Sequence, residues 1–143
     1  IAGTKAAVER AIEICRARSA KRALPLPISV PSHCELMRPA ADHFSKYIAD
    51  INWEGPQIPI VQNVSASVTT DLDTIKRNLL EQLYKHVRWV ESIKALAANG
   101  ATKLVECGPG KVLAGLNKRC ADGVSTANLN TPYSFAHARE ALA

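Results

Sequence analysis

Residues 102–110, TKLVECGPG, contain the clearest change of local structure in the sequence. A β-rich run stops at Gly108-Pro109-Gly110, and a helical pattern begins at Lys111. Glycine and proline between two such patterns are typical of a turn. The stretch therefore predicts a strand, a turn and a helix in that order, as in the α/β class of proteins.

The rest of the chain continues this alternation. Apolar residues recur at helical spacing in the segments 5–19, 35–51, 70–83, 89–98 and 132–142. Shorter β-like runs lie at residues 22–29, 55–64 and 125–129. Pro25 and Pro27 each bias the residue before them away from the helical region, so the first run is extended. Pro59 places the second run at the periphery of a sheet, because proline cannot donate to a strand ladder. Strands that alternate with helices predict an α/β protein with a mainly parallel sheet.

The composition is that of a globular protein. The 143 residues are 47% hydrophobic and 22% charged, which fits one ordinary domain. No apolar run approaches the roughly 20 residues that cross a bilayer, so we expect no membrane association and a cytoplasmic location. The sequence opens on a short apolar run without an initiator Met. We therefore expect a piece of a longer protein.

Charge and cysteine spacing argue against two kinds of site. The net charge is +5, but the basic residues are scattered with few aromatic residues between them, so we expect no nucleic-acid binding. An acidic protein partner is at least as compatible with this surface. The four cysteines form no C-x-x-C pair and have no histidine at zinc-site spacing. We expect buried, reduced thiols and no metal site.

His33 is the candidate for proton chemistry. It lies in SVPSHCELM, residues 29–37, between an extended stretch and a predicted helix. A single histidine is more often structural than functional, but loops at strand ends are where α/β proteins build their sites. A histidine base needs a nucleophile, and none of the serines lies in G-x-S-x-G. The residues therefore predict a histidine base, but no serine in the motif that would supply its nucleophile.

Three motifs carry a resemblance to a known family. VPSHCELMRPAAD, EQLYKHVRWVESI and VECGPGKVLAGLNKR closely resemble the C-terminal half of bacterial malonyl-CoA:acyl carrier protein transacylases of type II fatty-acid synthesis. The resemblance implies an α/β-hydrolase-like large subdomain with an inserted ferredoxin-like small subdomain. Residues 1–27 would end the small subdomain, and residues 28–143 would form the C-terminal part of the large one.

The resemblance also implies roles for individual residues. His33 stands at the position of the family's catalytic histidine, and Gln82 at the position whose backbone carbonyl holds that ring. Ser32 would contribute to acyl-group selection, and Val112 would line the pocket. The catalytic serine, the arginine that binds the malonyl carboxylate and the glutamine of the oxyanion hole would all lie upstream of Ile1.

The implied activity is transfer of a malonyl group from coenzyme A to the pantetheine thiol of acyl carrier protein. The implied partners are malonyl-CoA, acyl carrier protein and the missing N-terminal part of the enzyme, with no cofactor and no metal. Two alternatives stay open: a catalytically inactive carrier-protein docking module, and an acyltransferase segment of a multidomain synthase. One departure from the family is visible, because Lys85-His86 stands where Asn-Pro is common.

Overall fold

A computed structural model describes residues 1–142 of the chain. The helices and strands, in chain order, are α1 (Lys5–Ala17), a 3₁₀ helix (Glu35–Met37), α2 (Arg38–Ala49), α3 (Leu72–Glu81), α4 (Trp89–Ala98), β1 (Lys103–Glu106), α5 (Val112–Asn117), β2 (Ser125–Asn128) and α6 (Pro132–Leu142). Helices combined with a small parallel sheet confirm the α/β class. Among residues 1–142, no helix has the length and apolar character that crossing a membrane requires.

The chain divides into two compact units. The first unit comprises Ile1–Ile58 and Thr69–Val87, and the second comprises Pro59–Val68 and the chain from Arg88 onward. In the first unit α2 packs against α3, and the buried side chains at this contact include Ala41, Ile48 and Ile75.

Helix α3 is fixed at both of its ends. The Asp71 carboxylate accepts a hydrogen bond from the Thr74 N–H at 2.8 Å and caps the first turn. Hydrogen bonds from the Thr74 hydroxyl and N–H lower the pKa of the Asp71 carboxyl, because they stabilise its ionised form. The helix ends at Gln82, whose N–H donates to the Asn78 carbonyl at 3.0 Å. The position of the Gln82 backbone therefore follows from the register of this helix.

The second unit contains the predicted strand, turn and helix. Strand β1 pairs with β2 in parallel, with Lys103 opposite Ser125. Gly108 and Gly110 have φ values of 137° and 96°, which L side chains rarely adopt, and this explains the two glycines of the turn. Helices α5 and α6 both pack on β2.

Glu106, the last residue of β1, holds the start of α5. One carboxylate oxygen accepts a hydrogen bond from the Leu113 N–H at 3.2 Å, and the other accepts one from the Ala114 N–H at 2.8 Å. The first N–H groups of a helix have no partner inside the helix, so these contacts satisfy two of them. The strand and the following helix are thus joined by a side chain as well as by the turn.

Two predicted strands do not form. Residues 22–29 are irregular and belong to no ladder among residues 1–142, where Pro25 and Pro27 each lack the N–H that a ladder needs. Residues 55–64 contribute only a single bridge, from Val61 to Val68. The expectation of a strand at each place is wrong, because extended backbone becomes a strand only when a neighbouring strand completes its hydrogen bonds.

The other predicted elements need smaller corrections. The single helix expected over residues 35–51 is a 3₁₀ turn followed by α2, and Pro39 lies in the first turn of α2. The expectation of buried thiols is wrong for Cys15 and Cys107, which are exposed. All four cysteines are free, and Cys120 is buried.

Replacing Glu106 by Ala should loosen the start of α5. Loss of both acceptors is expected to cost about 1 kcal/mol of capping free energy, so the Leu113 and Ala114 amides should exchange with solvent about fivefold faster. Hydrogen-exchange mass spectrometry or NMR measures this directly. Glu54→Ala, in the first unit, is the control and should leave both amides unchanged. Equal exchange in the Glu106→Ala variant and the parent chain would contradict the assignment.

Candidate active site

His33 adopts an uncommon backbone conformation. Its φ of 64° lies in the left-handed region, which residues other than glycine seldom occupy. The His33 N–H donates a hydrogen bond to the Leu83 carbonyl at 3.0 Å. Such conformations persist where the surrounding structure determines them, and they are concentrated at functional sites. Ser19 and Ala66 also have positive φ values, so His33 is distinguished by this conformation together with its contacts to the end of α3.

The ring of His33 meets the end of α3. Its Nδ1 lies 2.7 Å from the backbone carbonyl oxygen of Gln82. A carbonyl oxygen can only accept a hydrogen bond, so Nδ1 carries the proton and donates. A neutral imidazole has one N–H, so Nε2 is left with a free lone pair. This arrangement presents the ring as a proton acceptor at Nε2.

The position of the Gln82 carbonyl has an electrostatic consequence. The last carbonyls of an α-helix have no partner within the helix and carry the negative end of its dipole. Gln82 is the C-terminal cap of α3, so its carbonyl is available to His33. The negative end of the dipole therefore faces the Nδ1–H of His33 and makes the Gln82 carbonyl a strong acceptor for it.

An open cavity of about 1090 Å³ borders His33 in the first unit. Its lining includes Val8 and Ile12 from α1, and Leu26 and Ile28 from the irregular stretch before His33. Apolar walls with a few polar groups are typical of small-molecule sites. A ligand in this cavity would lie beside the His33 ring.

The structure brings three of the four predicted site residues together. Ser32 and His33 line the same cavity, and the Gln82 carbonyl contacts the His33 ring. Val112 lies in the second unit at the start of α5, with 71% of its surface exposed. Among residues 1–142, no cluster of three or more histidine, cysteine or acidic side chains is arranged to hold a metal ion.

The structure adds a charged group that sequence reasoning missed. Arg38 donates two hydrogen bonds to the Glu35 carboxylate, at 2.7 and 2.9 Å, and its Cζ lies 4.0 Å from the centre of the Tyr84 ring. The hydrogen bond from Arg38 lowers the pKa of the Glu35 carboxyl and raises the pKa of Arg38. The spacing of Glu35 and Arg38 on a predicted helix signals the ion pair. No local pattern signals Tyr84, which is 46 residues further on.

Comparisons with known proteins identify relatives of this chain. The chain is 50% identical over 140 residues to the malonyl CoA-acyl carrier protein transacylase of Escherichia coli K12, and 42% identical over 142 residues to that of Bacillus subtilis 168. These matches cover 98% and 99% of this chain and 45% of each relative. The chain is homologous to the malonyl CoA-acyl carrier protein transacylases. It spans less than half the length of these two relatives.

Solved structures of transacylases have the same fold over the matched region. The crystal structure of the transacylase from Xanthomonas oryzae pv. oryzae superposes with a TM-score of 0.93 at 45% identity, covering 97% of this chain and 44% of that one. The structure of a malonyl-transacylase in complex with a type II PKS acyl-carrier protein superposes with a TM-score of 0.92 at 45% identity, covering 97% of this chain and 45% of that one. No family model matches the chain.

The contact with Gln82 predicts the tautomer of His33. The neutral ring should carry its proton on Nδ1, which long-range ¹H–¹⁵N NMR distinguishes from a proton on Nε2. Because the backbone carbonyl makes the contact, Gln82→Ala should keep the same tautomer. His43, exposed on α2, provides an internal reference for an imidazole without this acceptor. A neutral His33 protonated on Nε2 would contradict the interpretation.

Proposed function

We infer that this chain is the C-terminal part of a malonyl-CoA:acyl carrier protein transacylase and supplies its general base. The observation that carries the inference is the 2.7 Å contact between His33 Nδ1 and the Gln82 carbonyl. Homology over 98% of the chain supports the reaction class. The nucleophilic serine belongs, in this proposal, to a segment that precedes Ile1.

The first half-reaction acylates that serine. Its hydroxyl oxygen attacks the thioester carbonyl of malonyl-CoA while His33 Nε2 takes the hydroxyl proton. The carbon–sulfur bond then breaks, and the departing coenzyme A thiolate receives the proton from His33. The products are a malonyl-serine ester, free coenzyme A and a neutral histidine ready for the second half-reaction.

The second half-reaction returns the enzyme to its starting state. His33 Nε2 takes the proton of the pantetheine thiol of acyl carrier protein, and the sulfur attacks the malonyl-serine ester. The carbon–oxygen bond breaks, and the serine oxygen regains the proton from His33. One malonyl group has moved between two thiols, with no oxidation or reduction. The Gln82 carbonyl keeps the ring in one orientation through both halves.

Exposed apolar side chains favour the proposal that this chain is part of a larger protein. Leu24, Leu26, Ile28 and Val30 each expose between 52% and 74% of their surface. A contiguous exposed apolar stretch normally marks contact with another polypeptide surface. We propose that the preceding part of the enzyme covers this stretch. The proposed subdomain division, at residues 1–27 and 28–143, places most of the stretch beside the boundary.

Ser32 and Val112 are the proposed substrate-binding residues of the chain. Ser32 lines the cavity that His33 borders, where it can contact the acyl group. Val112 has an exposed side chain and can contribute apolar surface to an acyl pocket. The role of Ser32 in acyl selection and the place of Val112 in the pocket both come from the family resemblance.

A basic segment next to the cavity fits the proposed partners. Residues 14–34 contain Arg16, Arg18, Lys21 and Arg22 and no acidic residue, and Arg16 lines the cavity with His33. Coenzyme A and the phosphopantetheine arm of a carrier protein both carry phosphate groups. The cavity lining itself contains Lys5, Glu9, Glu13 and Arg16, so the positive charge that favours the approach of either thiol substrate lies in the adjoining segment.

In the full-length protein, His33→Ala should lower the rate of malonyl transfer to acyl carrier protein by about 100-fold or more, the usual range for loss of a general base. His43→Ala is the matched control, since His43 is exposed on α2, and it should keep the parent rate. Near-normal turnover of His33→Ala would remove the base assignment.

The isolated 143-residue chain should show no transfer above background, because the proposal places the serine outside it. Robust transfer by the chain alone would overturn that placement. The docking-module alternative predicts a different result: salt-sensitive binding of acyl carrier protein to the chain, and no transfer by the full-length protein.

A further inference from the structure

We propose that Arg38, held by Glu35 and stacked on Tyr84, is a positioning residue that sets the contact between the His33 ring and the Gln82 carbonyl. The effect that this proposal predicts on kcat rests on the proposed function. The effect that it predicts on the contact between His33 and Gln82 does not. We refer to Glu35, Arg38 and Tyr84 as the arginine clamp.

Two segments of the first unit meet at His33. One segment carries His33 and runs into α2, and the other is the turn that follows α3. They are joined by the His33 N–H to Leu83 carbonyl hydrogen bond at 3.0 Å and by the ring contact with Gln82 at 2.7 Å. Both contacts involve His33 itself, and α2 also packs against α3.

The arginine clamp supplies a separate point of attachment. Arg38 lies five residues after His33, and Tyr84 lies two residues after Gln82. The distance of 4.0 Å from the guanidinium carbon to the Tyr84 ring centre is a close cation–π stack. This attachment holds the start of α2 against the turn after α3 at a point away from His33, and we expect it to fix the direction of the ring.

Glu35 determines which way the guanidinium faces. Both carboxylate oxygens accept hydrogen bonds from Arg38, at 2.7 and 2.9 Å, and this paired contact fixes the plane of the guanidinium. A lysine ammonium at this position keeps the charge but has neither the planar stack nor the paired donors. The clamp therefore depends on arginine rather than on positive charge alone.

Because these side chains are exposed, the arginine clamp can position His33 without contributing much to the stability of the fold. The Glu35 and Arg38 side chains are 68% and 49% exposed, and exposed ion pairs contribute little to folding. The left-handed φ of His33, 64°, in contrast needs neighbours that hold it. Loss of the clamp should therefore disturb the His33 contact while the fold stays intact.

The test compares Arg38→Met, Arg38→Lys and Tyr84→Phe in the full-length protein. Arg38→Met and Arg38→Lys should lower kcat about tenfold with KM changed less than twofold, since small displacements of a reacting group cost rate rather than binding. Tyr84→Phe keeps the ring and should match the parent protein. Arg10→Met, which removes another exposed guanidinium of the first unit, is the control and should have no effect.

A second measurement does not depend on activity. In the parent protein the His33 Nδ1 proton should exchange slowly with solvent, and in Arg38→Met and Arg38→Lys it should exchange at least several times faster. Unchanged exchange together with unchanged kcat in both variants would overturn the proposal. If Arg38→Met fails to fold, Arg38→Lys and Glu35→Gln decide the outcome by the same two measurements.

The failure of this proposal is distinguishable from failure of the proposed function. If the parent full-length protein transfers no malonyl group, the proposed function is wrong. The exchange rate of the His33 Nδ1 proton still tests the arginine clamp in that case. Faster exchange in Arg38→Lys supports the clamp, and equal exchange rejects it.

Discussion

The hydrogen bond from His33 Nδ1 to the Gln82 carbonyl, at 2.7 Å, connects the local structure of this chain to its chemistry. The acceptor is a backbone atom, so its position depends on helix α3 and not on a side-chain rotamer. Asp71 caps the beginning of that helix and Gln82 ends it. In the proposed mechanism, a base oriented in this way needs no carboxylate, because the end of a helix provides the acceptor.

A backbone acceptor also explains why the unusual turn after Gln82 is compatible with the site. The family commonly has Asn-Pro where this chain has Lys85-His86, and Lys85 forms an ion pair with Glu81 at 2.9 Å. That pair spans Gln82 and joins the last residue of α3 to the turn. The carbonyl of Gln82 still reaches His33, so the contact is compatible with Lys85-His86 in the turn that follows.

Local patterns predicted the parts of the fold that local chemistry determines. The end of the helix predicted over residues 89–98 and the Gly108-Pro109-Gly110 turn both lie where the sequence places them, and Gly100, Gly108 and Gly110 adopt backbone conformations that other residues avoid. Residues 22–29 were predicted as a strand and are irregular. A strand needs a partner, and none for this stretch exists among residues 1–142, so local pattern alone could not decide its structure.

The site depends on contacts that no local pattern specifies. His33 and Gln82 are 49 residues apart, and the sequence connected them only through the family resemblance. The sequence did not connect Arg38 with Tyr84 at all. The spacing of apolar residues describes a single helix or strand and does not show which loop packs against it. The general-base role of His33 is tested most directly by the burst of coenzyme A release when the full-length protein meets malonyl-CoA without acyl carrier protein. A His33 base predicts a fast release of one equivalent per protein, slowed about 100-fold or more in His33→Ala. A burst of equal rate in His33→Ala would contradict that role.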